Sequence, residues 1–213
     1  MTSSGTPEPK EQSGAHATAK PRVRDRIIDA ASHLFYSQGI NCVGIDAIVC
    51  EADTNKMSLY RNFASKDDLV VQYLKERQQE HFARWDEICA TCPDDPRAQL
   101  EAIFESFVAR GHGQAHCGCP AANAAVELRG TGHAGLEVIH AGRARARQYI
   151  RDRLEAAGAK NLDTLTDGLI LLLEGAMLSR ISFAEQEWPA ENMVAALKIL
   201  LDAELGSVAQ AGK

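Results

Sequence analysis

The sequence predicts an all-α chain of about nine helices, a small three-helix unit followed by a larger helical body. Three observations predict it. Apolar residues recur at helical spacing from Arg24 to Leu205, with no alternating strand pattern and no repeat. Two short helical segments separated by a turn occupy about 45–63. One long helical segment follows them directly and joins them to the rest.

Residues 1–21 are rich in Ser, Gly, Pro, Thr and Ala, which predicts a disordered arm. Ile27, Ala31, Leu34 and Phe35 open a helix over Arg24–Gln38, and Gly39 ends it as a C′ residue. Ile45, Ile48 and Val49 mark a short helix over Ile45–Ala52. After Asp53 and Thr54 comes a second short helix, Asn55–Asn62. Leu59 and Phe63 lie four apart and anchor it, leaving Asn55, Lys56, Ser58 and Arg61 to reach outward. Ser65 to Asp68 has capping-box spacing and starts a long helix over Lys66–Cys89. Cys92–Pro96 is a turn. Leu100, Ile103, Phe104, Phe107 and Val108 define an amphipathic helix closed by Gly111. Pro120 suits the first turn of a helix ending at Leu128. Gly158 breaks a helix over Leu136–Ala157. Helices over Leu162–Phe183 and Pro189–Leu205 complete the body, and 206–213 is a tail.

With 213 residues, 45% hydrophobic and 24% charged, the chain has the composition of a globular protein. Its longest apolar run, Leu169–Leu173, stops at Glu174, far short of a membrane span. Residues 1–20 lack the apolar core of a secretory signal. These features predict a cytoplasmic protein with no membrane partner, whose six cysteines are reduced thiols. The net charge of −6 is unevenly spread. Through Lys66 there are eight Lys/Arg against seven Asp/Glu, leaving 15 against 22 for the remainder. An acidic body behind a near-neutral front permits specific DNA binding and argues against binding by bulk charge.

A short helix with one apolar and one donor-rich face is what a major groove accepts. Ala31, Phe35, Gly39, Ile48, Ala52, Lys56, Leu59, Tyr60, Phe63, Ser65, Lys66 and Leu69 form a pattern. On these residues the front of the chain resembles the TetR family of transcriptional repressors. The resemblance implies a DNA-binding domain over 22–82 and a helical ligand-binding and dimerisation domain over 83–205. The implied DNA-contacting residues are Arg22, Arg24, Gly44, Thr54, Asn55, Lys56, Ser58, Tyr60, Arg61 and Lys66. Lys56 and Arg61 would lie near base edges or phosphates, Tyr60 and Lys66 on phosphates, and Arg22 and Arg24 in the minor groove or on the backbone. Four positions, in three places, depart from the family pattern. Asp53 stands where Gly is frequent in the turn. Val43 and Gly44 replace phosphate-binding hydroxyls. Asn55 replaces a small residue, where it can cap the helix or read adenine.

In the body, Leu169–Leu173, Ala176 and Met177 wrap more than one face of their helix, and the last helix has the same surplus. A two-fold dimer through a four-helix bundle is the predicted solution, with Leu169, Leu172, Ala176, Leu197, Leu200 and Leu201 at the interface. It would set two recognition helices about 34–36 Å apart, one DNA turn. The resemblance also implies a small-molecule effector inside the body. Candidate lining residues are Phe82, Trp85, Phe104, Phe107, Cys119, Asn123, Leu128, Ile139, Tyr149, Leu173 and Met177. No cofactor is predicted.

The segment HGQAHCGC places His112, His116, Cys117 and Cys119 within eight residues, soft ligands for a thiophilic metal or a site for oxidant sensing. The leading expectation is a homodimeric, ligand-responsive repressor bound to a palindromic operator, and not an enzyme. The alternatives are a metal- or thiol-stress sensor built on the Cys/His loop, a helical binding protein that no longer reads DNA, and a Cys-dependent enzyme using Cys117 or Cys119 near His116. The last lacks any evident orienting group or oxyanion site. Cys42 and Cys50 are expected to pack inside the DNA-binding unit.

Overall fold

The computed structural model describes residues 21–111 and 117–206. The sequence-based arm over 1–21 and the tail therefore lie almost wholly outside the described residues, as do His112 and His116. Among the described residues there are nine α-helices and no strand. They are α1 (Val23–Gln38), α2 (Ile45–Glu51), α3 (Lys56–Asn62), α4 (Lys66–Cys89), α5 (Pro96–Gly111), α6 (Pro120–Leu128), α7 (Gly135–Ala156), α8 (Leu162–Ser182) and α9 (Met193–Leu205). None of the described helices is long and apolar enough to cross a membrane.

Side-chain caps set several of the boundaries. Asn55 Oδ1 accepts from Ser58 N at 2.9 Å, so Asn55 is a cap and α3 begins one residue later than expected. Ser65 Oγ accepts from Asp68 N at 3.0 Å, while Asp68 Oδ2 reaches back to Ala64 N at 3.2 Å. The reciprocal half of the box thus falls one residue outside its usual place, with Asp standing where the box usually has Glu. The segment from Pro189 also differs from expectation. Pro189–Asn192 is a 3-10 turn, and the α-helix starts only at Met193. The buried Trp188 and Ala190 fix the chain there before α9 can wind.

Two apolar cores share α4. Leu69, Val70, Tyr73 and Leu74 pack with α1, α2, α3, α6 and Ile139 of α7. Phe82, Trp85 and Cys89 pack with α5, α7, α8 and α9. One rigid rod of 24 residues, about 36 Å long at the helical rise, therefore spans both units. A second tie runs through α6. The Glu127 carboxylate accepts from Ile40 N at 3.0 Å and Asn41 N at 2.7 Å, in the turn between α1 and α2.

Several sequence-based expectations are corrected by packing. Cys42 and Cys50 are exposed, because Ile48 and Val49 take the inward side of α2 and Val43 takes that of the preceding turn. Leu169, Ala176, Leu197 and Leu201, expected at a dimer interface, are buried in the chain's own second core. Leu172 is partly buried against that core. The exposed large apolar residues of α8 and α9 are instead Leu171 (72% exposed), Leu178 (62%), Ile181 (52%), Ile199 (69%) and Leu200 (39%).

Candidate DNA-reading surface and effector cavity

The two short helices are held from below. Leu59 and Phe63 of the α3 segment are buried with Ile48, Val49 and Ala52 of the α2 segment. This orients the polar residues of α3 away from the core, where Tyr60 is 53% exposed and Lys56 and Arg61 are exposed. Arg61 has no ion pair or hydrogen bond among the described residues. Lys56 does: its Nζ lies 2.7 Å from Asp46 Oδ1 of α2, and that carboxylate raises the lysine's pKa. Ser58 and Thr54 are half-buried and Gly44 is exposed at the N-cap of α2. Arg22 is exposed at the start of α1, and Arg24 sits over the Phe63 ring at 5.4 Å and 3.7 Å from Glu76.

Lys66 differs from its implied role. Its Nζ donates to Ile40 O at 2.6 Å and lies 6.0 Å from the Phe35 ring centre, partly buried. The α1–α2 turn presents a carbonyl to the amine, so this cation is engaged within the domain.

Asp53 adopts φ +47°, and among the described residues every other positive φ belongs to glycine. Arg26 Nη1 braces the turn by donating to Asp53 O at 3.1 Å. Asp53→Gly removes the Cβ penalty and keeps that backbone contact. It is expected to raise unfolding stability by about 1 kcal/mol in urea titrations, and an unchanged or lower stability would refute a strained turn.

Behind this surface a cavity of about 330 Å3 opens among α4, α5, α6, α7 and α8, within the size range of small-molecule sites. Of the expected residues Phe107, Cys119, Ile139 and Met177 line it. Phe82, Trp85, Phe104, Leu128 and Leu173 do not: all are buried in the cores. Tyr149 hydrogen-bonds Asp86 at 2.8 Å, away from the cavity. Asn123 caps locally, Nδ2 donating to Cys117 O at 2.6 Å. Sequence reasoning missed the polar lining, which comes mainly from α4 and α7: Arg77, Glu80, His81, Arg84 and Arg143, with Arg110 from α5. Helical periodicity identifies inward apolar positions, and these charged side chains flank them, so the pattern gave no signal. It also missed Tyr36 of α1, which lines the cavity while its hydroxyl donates to Gly118 O at 3.1 Å and accepts from Cys117 N at 3.0 Å.

His81 sits 4.5 Å from the Trp85 ring and is held at about 4, below the usual 6.5, by burial and then by Arg110, Arg143, Arg84 and Arg145. Since the folded value is the lower one, the unfolded chain binds more protons between the two values. This contribution is fully present above the unfolded value and is lost as pH falls toward 4. Moving from pH 7 to pH 5 is expected to cost about 2 kcal/mol at this site. His81→Gln should remove that share of the pH dependence in urea unfolding, and an unchanged dependence would refute it.

Cys119 is the N-cap of α6, its Sγ accepting from Ala122 N at 3.5 Å and receiving Arg143 Nη2 at 3.4 Å. Among the described residues no group of three or more His, Cys, Asp or Glu is placed to hold a metal.

The geometry, two short helices presenting donors in front of a cavity-bearing helical body, defines the class: a helix-turn-helix DNA-binding regulator. Residues 27–73 match the family model for bacterial regulatory proteins of the tetR family. The fold is that of a TetR-family transcriptional regulator from Streptomyces coelicolor (27% identity, 86% of this chain, 96% of that chain, TM-score 0.81). It is also similar to a TetR-type regulator from Streptomyces avermitilis (28% identity, 86% and 98%, TM-score 0.75). A more distant chain of the same fold comes from Saccharomonospora viridis, crystallised with choline (19% identity, 84% and 95%, TM-score 0.70). No curated protein matches the chain in sequence. Over residues 27–73 the chain is thus similar to the tetR family, and its fold is that of TetR-family regulators.

Proposed function

We propose that this chain is a cytoplasmic, homodimeric repressor that leaves its operator when a small molecule enters the cavity. The observation that carries the reading is the continuity between cavity and reading surface. Tyr36 belongs to α1 and also lines the cavity, α4 belongs to both cores, and Glu127 clamps the α1–α2 turn. A ligand wedged between α4 and α7 would move α4 and Tyr36, and with them α3. A shift of a few kcal/mol between the two arrangements suffices for release. The choline complex of the S. viridis protein supports a body of this fold taking up a small molecule. Arg61, Tyr60 and the exposed Arg22 would contact DNA, with Asn55, Ser58, Thr54 and Gly44 lining the approach. Lys56 would exchange Asp46 for phosphate.

Leu171, Leu178 and Ile181 of α8 and Ile199 and Leu200 of α9 are exposed, and this uncovered apolar surface supports a dimer in which a second copy covers it. Leu171→Glu with Leu178→Glu is expected to halve the mass seen in sedimentation equilibrium and to abolish binding to the DNA upstream of the gene. A folded variant that stays dimeric, or a monomer that binds that DNA as tightly as before, would overturn the reading.

A further inference from the structure

We propose that the cavity takes an amphipathic organic anion, with its acidic group at Arg84 and Arg110 and its apolar body against Phe107, Ile139 and Met177. This rests on the cavity being the effector site and names the chemical class it selects.

The argument starts from charge left over after pairing. Four arginines line the cavity: Arg77, Arg84, Arg110 and Arg143. Two are matched by carboxylates. Arg143 Nη1 meets Glu174 Oε1 at 2.6 Å, and Arg77 Nη2 meets Glu80 Oε2 at 3.3 Å. Arg84 and Arg110 have no carboxylate within ion-pair distance among the described residues. Arg110 is nonetheless held in place. Its Nε donates to Ser106 O at 3.1 Å, and its guanidinium sits 4.9 Å from the Phe107 ring centre. Its two terminal nitrogens have no hydrogen-bond partner among the described residues, and a carboxylate binds such a fork through two parallel hydrogen bonds.

The surroundings make that surplus costly without an anion. Burial and then the neighbouring Arg84 push the Arg110 pKa below its usual value. His81, held neutral at physiological pH by burial and the arginines, leaves the cationic balance to the arginines. The half-buried Arg110 and the exposed Arg84 repel each other, and an anion between them turns that repulsion into attraction. The same field rejects a cation. Beside Tyr36, Gln78, Glu80 and His81, the lining offers apolar surface from Leu74, Pro120, Ala121 and Val138. A headgroup alone would leave that surface unfilled, which is why an apolar body is part of the assignment.

Decanoate, decanol and decyltrimethylammonium share one alkyl chain and differ only in the headgroup. Isothermal titration calorimetry of the full-length protein with each, below micelle formation, is the test. Decanoate is expected to bind at least about tenfold more tightly than decanol, and decyltrimethylammonium most weakly. In Arg84→Gln/Arg110→Gln the advantage of decanoate should shrink to about threefold or less while decanol is unchanged. Should the double variant not fold, Arg84→Gln alone, at an exposed position, should reduce the advantage. If decanol binds as well as decanoate, the charge assignment fails and the effector cavity stands. If decanoate keeps its full advantage in a folded variant, the anion is held elsewhere and the assignment fails. If none of the three binds, the effector reading falls with it.

Discussion

Replacing Lys56 and Arg61 together by alanine is expected to weaken binding to the DNA upstream of the gene by about a hundredfold or more. Each is an exposed cation on the outward face of α3, and contacts of this kind contribute about 1–3 kcal/mol each to a protein–DNA complex. A dimer loses both copies. If the pair contacts phosphate, the salt dependence should flatten by about one unit for each contact removed. Stability should change by about 0.5 kcal/mol or less, since neither side chain reaches the core. Asp46 provides a sharper arm. Its carboxylate holds Lys56 at 2.7 Å in the free protein and would also face phosphate. Asp46→Asn should therefore tighten binding several-fold, by freeing the lysine and removing a like charge. Gel-shift titration at two salt concentrations reads the affinities and the salt slope, and urea unfolding reads the stability. Unchanged affinity in the double variant would remove α3 as the reading helix.

Gly111→Ala is expected to destabilise the body by about 3 kcal/mol, lowering the melting temperature by about 6–12 °C. A Cβ at Gly111 would meet Trp188 Cη2 at 1.9 Å, a distance at which a ring atom must move. The indole cannot swing away cheaply. It is buried, and its Nε1 donates to Ser179 Oγ at 3.1 Å. The Gly111 carbonyl also accepts from Arg180 Nε at 2.6 Å, so a displaced α5 terminus would disturb α8 as well. Gly142 makes the useful contrast. Its added Cβ would meet Gln78 Nε2 at 1.8 Å, but that is the end of a flexible chain, which donates to Val138 O at 3.3 Å. Gly142→Ala should cost about 1 kcal/mol or less. Thermal and urea unfolding of the two variants side by side is the check. Equal costs would mean that Trp188 is not the rigid wedge its burial implies.

Gly111 also shows where the sequence ceased to be legible. A glycine after the run Leu100 to Val108 reads as a helix stop, and α5 does end there. Its second reason, the passage of an indole 77 residues further on, is a non-local packing fact with no local signature. Asp53 was legible, because a turn position between two short helices needs a residue that tolerates positive φ, and the backbone there is at +47°. Asn55 left two options open, and the hydrogen bond to Ser58 N makes it a cap.

The sequence by itself determined the helices and their order, the helix-turn-helix, and the resemblance of this chain to TetR-type regulators. Those rest on local periodicity, caps and turn residues, which act within a few residues of one another. Tertiary structure alone decided which apolar faces stay outside, so that Leu171 and Leu178 are exposed while Leu169 and Ala176 are core. It also turned Lys66 inward onto a carbonyl and surrounded one cavity with four arginines drawn from three helices. A helix apolar on several sides carries no mark of which side its own chain will cover. A charge gains or loses its partner only when distant segments meet.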